Sequence, residues 1–221
     1  MKHIRIVALI VVILVLVLCA CTPKEEEVPS PISYIQQTLY TGGNNNFLVN
    51  MSSGRSEELF VADGKVGEVH DFVLISVVPL HVDLFNYSYT YILKGEKGEK
   101  TGELIKDSFG AGFSAEIEEI ESVGKPISLV LCYQEKEEDI SIENKLESMI
   151  NGVEAIEIAE NTLKESLERD GKEREIYVKY INDSSNPESP YYWYVAYIAS
   201  PADYYSVLIS PTDGNVVSVN P

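Results

Sequence analysis

FVLISVV, at residues 72–78, is the stretch on which the fold class of this chain depends. It is apolar apart from one serine and rich in β-branched residues, which is typical of a buried strand. Similar strand-like patterns lie on either side, at residues 47–51 and 127–133, and turn-forming pairs such as Asp63-Gly64 separate them. We therefore expect residues 32–134 to form a β-rich domain, an antiparallel β-sandwich in its general form.

The pattern changes after an acidic run, QEKEED, at residues 134–139. Ile142, Leu146 and Met149 fall at helical spacing, which predicts a short helix before Asn151-Gly152. This change of periodicity places a domain boundary in the acidic run, with a second domain at residues 140–221.

Asn151 is suited to cap a second helix, with Glu154 as the other member of a capping box. An apolar stripe that includes Ile156 and Leu163 follows, and the helix should end near Gly171. Helix followed by antiparallel strands is an α+β arrangement, so the fold class predicted for the whole chain is α+β. The strand-like segments are residues 174–182, 191–200, 204–210 and 216–219.

Residues 152–221 contain four short motifs in an order and spacing that resemble a PepSY domain. They are Ala155-Ile156-x-x-Ala159, Trp193-Tyr194-Val195, YSVLI at residues 205–209 and TDGNV at residues 212–216. PepSY domains occur in propeptides of secreted metallopeptidases and in bacterial envelope proteins. The resemblance implies binding or regulation, such as the restraint of a peptidase, with no catalytic residues to carry over. Ser210 stands where the family often has aspartate, so the role of that acid is not transferred.

The N-terminus carries the positive charges of Lys2 and Arg5, and an apolar run follows at residues 6–20. This run is shorter than the roughly 20 residues of a spanning helix and has the length of a signal-peptide core. It ends in Leu18-Cys19-Ala20-Cys21, which resembles the lipobox of bacterial lipoproteins. The resemblance implies removal of residues 1–20, a lipid on Cys21 and a membrane location on the extracytoplasmic face. An uncleaved anchor is the alternative.

Residues 21–31, CTPKEEEVPSP, are charged and proline-rich and are predicted to tether the lipid to the fold. The net charge of the chain is −18. Without residues 1–20, which hold Lys2, Arg5 and no acid, 15 basic and 35 acidic residues remain and the charge is −20. Such a chain repels nucleic acid and anionic lipid headgroups, so neither is expected as a partner.

Residues suited to catalysis or metal binding do not form a recognisable motif in the sequence. His70 and His81 lie on separate segments without metal-ligand spacing, and Cys132, in an apolar strand, is interpreted as an inert small residue. The acidic clusters at residues 116–121 and 135–139 are interpreted as solvated edges. We therefore predict no catalytic residue, no metal and no cofactor.

Tyrosines cluster around Trp193 in the C-terminal part of the chain. Strand alternation places Trp193, Val195 and Tyr197 on one face, under the helix, and Tyr192 and Tyr194 on the other. Tyr192 and Tyr194 are the candidate binding surface, since exposed tyrosines are favoured at recognition sites. The alternative is that the N-terminal domain covers this face.

The function expected from these features is that of a non-catalytic envelope lipoprotein. It would bind a protein or peptide partner and be held to the membrane through Cys21. The alternative is a ligand- or glycan-binding lipoprotein whose site lies in the N-terminal β-domain.

Overall fold

The computed structural model of this chain describes residues 31–108, 112–117, 120–147, 149–182 and 191–221. Strands predominate there, with one α-helix, α1 (Gly152–Asp170), and two short 3-10 turns, Val82–Asn86 and Ile120–Ser122. The strands are β1 (Ile32–Gly43), β2 (Phe47–Glu57), β3 (Val69–Pro79), β4 (Tyr89–Gly95), β5 (Glu99–Lys106), β6 (Phe113–Glu116), β7 (Pro126–Tyr133), β8 (Lys136–Asn144), β9 (Glu175–Asn182), β10 (Tyr191–Ser200), β11 (Asp203–Ile209) and β12 (Val216–Asn220).

The first eight strands form a closed barrel in the order β1-β2-β3-β6-β5-β4-β7-β8. Closure comes from β8, which returns to pair antiparallel with residues 40–42 of β1. The two strands approach closely at Gly42, where a Cβ atom would lie 2.2 Å from the carbonyl oxygen of Ser141. Glycine at this position therefore allows the barrel to close.

Side chains fill the interior of the barrel. Alternate residues of each strand point inward, as Leu129, Leu131 and Tyr133 of β7 do. The hydroxyl of Tyr89 donates a hydrogen bond to the carbonyl oxygen of Leu84 at 2.6 Å, so this buried polar group is satisfied. The described part of the barrel thus has a packed core of the kind found in small closed barrels. Its other members include Tyr40, Phe47, Val49, Met51, Ile75, Val77, Leu93, Phe113, Ile140 and Ile142.

β1 belongs both to the barrel and to a C-terminal extension of the sheet. Its first half pairs in parallel with β9, with Tyr34 opposite Tyr177. The register of β1 against β2 then shifts between Gln36 and Thr38, which is a bulge. Beyond the bulge, β8 takes the place of β9 beside β1.

The extension continues from β9 through β10 and β11 to β12 with antiparallel pairing. Helix α1 lies against β10 and β11 and also contacts β1 and β9. Its apolar stripe, which includes Ile156 and Leu163, is buried on this face of the sheet, as is Trp193. The indole nitrogen of Trp193 donates to the carbonyl oxygen of Ile150 at 2.9 Å, just before the helix begins.

The predicted fold class, α+β with an N-terminal sandwich, is wrong. The described residues are mostly strand, and β1–β8 close into an eight-stranded barrel with further strands attached to it. The short helix expected from Ile142, Leu146 and Met149 is also not found among the described residues, because residues 136–144 form β8 and residues 145–147 form a turn. Ile140 and Ile142 point into the barrel with period two, and this burial outweighs the helical spacing of the residues that follow.

Several local predictions for the C-terminal part are confirmed. Asn151 caps α1 through a complete capping box with Glu154, and Gly171 ends the helix in the left-handed conformation. The four predicted strands correspond to β9–β12 within one or two residues at their ends. Division of the chain into domains at residues 134 and 140 stays a prediction. In the structure, residues 134–135 form the turn between β7 and β8.

Candidate binding surfaces

A row of aromatic rings crosses the sheet on the face opposite α1. Tyr34 of β1 stacks on Phe72 of β3, with ring centroids 5.5 Å apart, and on Tyr177 of β9 at 4.7 Å. Tyr194 of β10 meets Tyr177 edge to face at 6.5 Å. We call Phe72, Tyr34, Tyr177 and Tyr194 the aromatic row. It joins the barrel to the extension, since its members come from strands of both.

The rings of the aromatic row are largely occupied by one another. Tyr34 has a ring on each side, so its faces are covered. Burial raises the pKa of Tyr34 to about 12, and Tyr177 adds to this increase. Burial also raises the pKa of Tyr177, to which Tyr194 contributes. These tyrosines therefore stay neutral at physiological pH and contribute packing at the junction.

The structure places the two residues of the predicted surface differently. Tyr192 is 8% exposed, whereas Tyr194 is half-buried at the end of the aromatic row. The opposite face matches the predicted alternation. Trp193 and Val195 are buried under α1, and the hydroxyl of Tyr197 donates to the carbonyl oxygen of Ile156 at 3.5 Å.

The connection between β2 and β3, residues 58–68, covers part of the aromatic row. The ring of Phe60 lies 5.3 Å from that of Tyr177. Gly64, in the left-handed region at φ 82°, donates its backbone N–H to Oε1 of Glu175 at 3.1 Å. Glu175 is fully buried, and its second oxygen has no hydrogen-bond partner among the described residues. This loop is therefore fixed onto the extension.

The outermost strand of the extension presents an open edge. β12 pairs with β11 on one side and stands at the end of the strand order. Its five residues are all exposed, with Val217 at 53%. Its sequence, VVSVN, has neither the charges nor the internal proline that commonly protect an edge strand. Among the described strands, β12 is therefore best placed to accept an additional strand from another chain.

A cluster of charges fixes the end of α1 to the sheet. The buried guanidinium of Arg174 donates to carboxylate oxygens of Asp170 and Asp203 and lies 4.2 Å from the ring centroid of Tyr205. Hydrogen bonds from Arg174, and a further one from the backbone of Lys172, hold the pKa of Asp170 at about 2. Each charge in this cluster has a partner of opposite sign, so the cluster is best explained as structural.

The other residues singled out in the sequence are dispersed. His70 lies on β3, and His81 lies at the opposite end of that strand, where its ring nitrogen is 3.1 Å from the carbonyl oxygen of Asn45. Cys132 is half-buried on the outer side of β7, between Thr90 and Glu137 of the adjacent strands. Within the described residues, no three His, Cys, Asp or Glu side chains are grouped to hold a metal.

Some predictions concern residues outside those described. Cys21 and the lipobox lie there, as do residues 118–119 of an acidic cluster. Among the helices of the described part, none is both long and apolar enough to span a membrane.

Open depressions are present on the surface formed by the described residues. One, of about 460 Å³, follows the seam between β1 and β8 and is bordered by Gly42, Ser141 and Tyr191. A second, of about 360 Å³, lies between Tyr40 and Glu147. The third, of about 490 Å³, borders Cys132 and Gln134. The second is lined by the charged side chains of Glu96, Lys125, Glu143 and Glu147, of which Lys125 and Glu147 form an ion pair at 3.0 Å.

Comparison with protein-family models, with curated proteins and with solved structures found no match for this chain. The resemblance of residues 152–221 to PepSY domains therefore stays a prediction. The two surfaces of greatest interest, the β12 edge and the loop at residues 58–68, were missed in the sequence. The sequence signals that could have revealed them are the uncharged, valine-rich sequence of β12 and the three consecutive apolar residues at positions 59–61.

Proposed function

We propose that this chain is a non-catalytic envelope lipoprotein that binds an extended segment of a protein partner at the open edge of β12. A lipid on Cys21 would hold it on the extracytoplasmic face of the membrane. The lipobox-like sequence, the charged tether and the single cysteine after Cys21 support the anchor.

The observation that carries the binding proposal is the combination of order and exposure in β12. Its register with β11 is regular from Ser218 to Asn220, so its backbone is already extended. The outward backbone groups of such a strand can pair with a partner strand, while pockets or exposed side chains on alternate positions give specificity. The valines would then lose exposed apolar surface on binding.

A segment of another protein is favoured over a second copy of this chain. Two copies, each with a charge near −20 after removal of residues 1–20, would repel one another on close approach. A partner segment with basic residues flanking its strand would instead be attracted. Restraint of an envelope peptidase, implied by the PepSY resemblance, is one form that such binding could take.

The described interior of the barrel, by contrast, is occupied by residues such as Phe47, Ile75 and Leu131. A ligand or glycan would therefore have to bind on the outer surface of the barrel. No specific group of described residues there favours that function, and we do not propose it.

The edge can be tested with a photo-crosslinking amino acid at Val217 in the full chain, expressed in its own membrane. A protein should be cross-linked from Val217 and not from Val82, which is also exposed but lies beyond the far end of β3. Val219→Lys should remove the cross-link, because charge at an edge opposes strand addition. Identical products from both positions, or cross-linking unaffected by Val219→Lys, would contradict the proposal.

The anchor can be tested independently by labelling with a radioactive fatty acid. The parent chain should incorporate label and lose residues 1–20, whereas Cys21→Ser should do neither. Cys19→Ser serves as the matched control and should be labelled like the parent. Equal labelling of the Cys21→Ser variant would disprove the anchor without affecting the proposal about β12.

A further inference from the structure

The loop between β2 and β3 exposes three consecutive apolar side chains. Leu59 is 82% exposed, and Phe60 and Val61 are exposed as well. We call these three residues the apolar apex. Isolated exposed apolar residues are ordinary on protein surfaces, but adjacent ones at a loop apex form a patch that requires an explanation.

The apolar apex is held in place by hydrogen bonds on both sides. The backbone N–H of Gly67 donates to Oε1 of Glu57 at 2.6 Å, and that of Glu58 donates to the carbonyl oxygen of Glu68 at 3.1 Å. Gly64 is fixed to the buried Glu175. The apex is therefore presented on an ordered loop, which lowers the conformational entropy lost when it binds.

The apolar apex lies at the end of the barrel where the chain enters it. Tyr34, near the start of β1, pairs with Ser56, near the end of β2, and the loop begins two residues later. Residues 21–30 span at most about 35 Å when fully extended. If Cys21 carries a lipid, the apolar apex lies at the end of the barrel to which this tether is joined.

Another apolar set, Leu48, Leu80 and Val82, is exposed at the opposite end of β2 and β3. The eleven residues of β2 separate the two ends by on the order of 30 Å. The two sets differ in their distance from the point where the tether joins the barrel, since only the apolar apex lies at that end.

We infer that the apolar apex inserts into the interface of the bilayer to which Cys21 is anchored. This inference rests on the lipid anchor of the proposed function. The lipid surface it fits is zwitterionic, because Glu58, Asp63 and Glu68 flank the apex with Lys65 as the one basic residue between them. The lipid chains on Cys21 supply attachment, and the apex sets the orientation of the barrel.

The test uses an added tryptophan at each end of the barrel. Leu59→Trp reports on the apolar apex, and Val82→Trp, at a site 85% exposed, is the matched control. The native Trp193 is fully buried and contributes equally to both variants. Each full-length variant is purified with its lipid and reconstituted in phosphatidylcholine vesicles whose acyl chains are brominated.

We expect brominated lipid to quench the added fluorescence of Leu59→Trp, with a blue shift of its emission, and to leave Val82→Trp unchanged. Replacing part of the phosphatidylcholine with anionic phosphatidylglycerol should reduce the quenching. If neither variant or both variants are quenched while the protein is membrane-bound, the anchor stands and the inference about the apex fails. If the added indole of Leu59→Trp is shielded from aqueous iodide only in native membranes, the apex contacts a protein and the inference is also overturned.

A second version of the experiment distinguishes failure of the inference about the apolar apex from failure of the lipid anchor. Residues 22–221 contain the whole compact unit Pro31–Pro221 and can be attached to nickel-chelating lipid through an N-terminal histidine tag. Quenching of Leu59→Trp in both arms supports the inference. The anchor is refuted if the native chain does not bind the membrane and Leu59→Trp is quenched only when the histidine tag supplies the attachment. The inference about the apolar apex then fails for the natural protein as well.

Discussion

Gln36 accepts a hydrogen bond through its side-chain oxygen from the backbone N–H of Tyr180, 144 residues further along the chain, at 3.3 Å. Its amide nitrogen donates to the carbonyl oxygen of Thr38 at 3.2 Å. The bulge of β1 lies here, and β9 leaves β1 at the same point. The buried side chain of Gln36 thus supplies a hydrogen-bond acceptor to the backbone of β9 at the point where β1 and β9 separate.

Gln36→Ala should destabilise the protein by about 1–3 kcal/mol, because the N–H of Tyr180 would be left buried without a partner. Gln37→Ala is the matched control, since Gln37 is exposed at the same bulge, and it should change the free energy of unfolding by less than about 0.5 kcal/mol. Urea unfolding measures both. Equal effects from the two variants would show that the hydrogen bond to Tyr180 is unimportant.

Gly42→Ala should prevent β8 from closing on β1. The added Cβ would lie 2.2 Å from the carbonyl oxygen of Ser141, so backbone must move and stability should fall by about 3 kcal/mol. Gly67→Ala adds the same methyl group where the nearest atom is 3.9 Å away and should be tolerated. Thermal unfolding compares the two variants, and an unchanged melting temperature for Gly42→Ala would contradict closure of the barrel at this point.

Asp170 should make stability depend on pH in the acid range. Its pKa is about 2 in the folded chain and near 3.8 without its partners, so its contribution is complete above pH 4 and is lost as the pH falls to 2. Asp170→Asn should therefore flatten the urea midpoint across this window. Tyr205→Phe, which removes one hydrogen bond to Asp170, should have a smaller effect of the same sign. A parent-like pH profile for Asp170→Asn would refute this role.

Residues 140–221 should not fold when they are expressed alone, because β9 needs β1 as its neighbour in the sheet. β9 takes residues 32–35 as its neighbour, and Ile35 lies 3.2 Å from the site a Cβ of Gly152 would occupy at the start of α1. We expect near-ultraviolet circular dichroism from this fragment only after addition of a peptide with residues 31–43. A peptide carrying Tyr34→Ala should be less effective. A cooperative melt of the fragment by itself would instead support the domain boundary predicted at residue 140.

Local features of the fold could be predicted from the sequence because neighbouring residues determine them. Asn151 and Glu154 are three positions apart, and the alternation around Trp193 lies within one strand, so both predictions were confirmed. The barrel could not be predicted in this way. It depends on residues 40–42 meeting residues 142–144, and the short alternation of Ile140 and Ile142 resembles the start of a helix as much as a strand.

The candidate surfaces also include features that the local sequence predicts and features that depend on distant segments. Tyr192 and Tyr194 were placed on a common face by alternation, but Phe60, Tyr34 and Phe72 reach that face from distant segments. The exposure of β12 likewise follows from its place in the strand order, which no local pattern encodes. Side-chain periodicity therefore identified a face of the sheet and left open what covers it.

The shared position of β1 also determines when the protein can finish folding. Among the described strands β1 is synthesised first and β2 follows directly, whereas its other partners β8 and β9 come about 100 and 140 residues later. Contacts over such distances slow folding, because the intervening loop must close before the pairing is gained. Until then the edge of β1 that does not pair with β2 is exposed to aggregation. The chain up to β9 must therefore be available before β1 has neighbours on both edges, and any factor that protects the chain during that interval should recognise the open edge of β1.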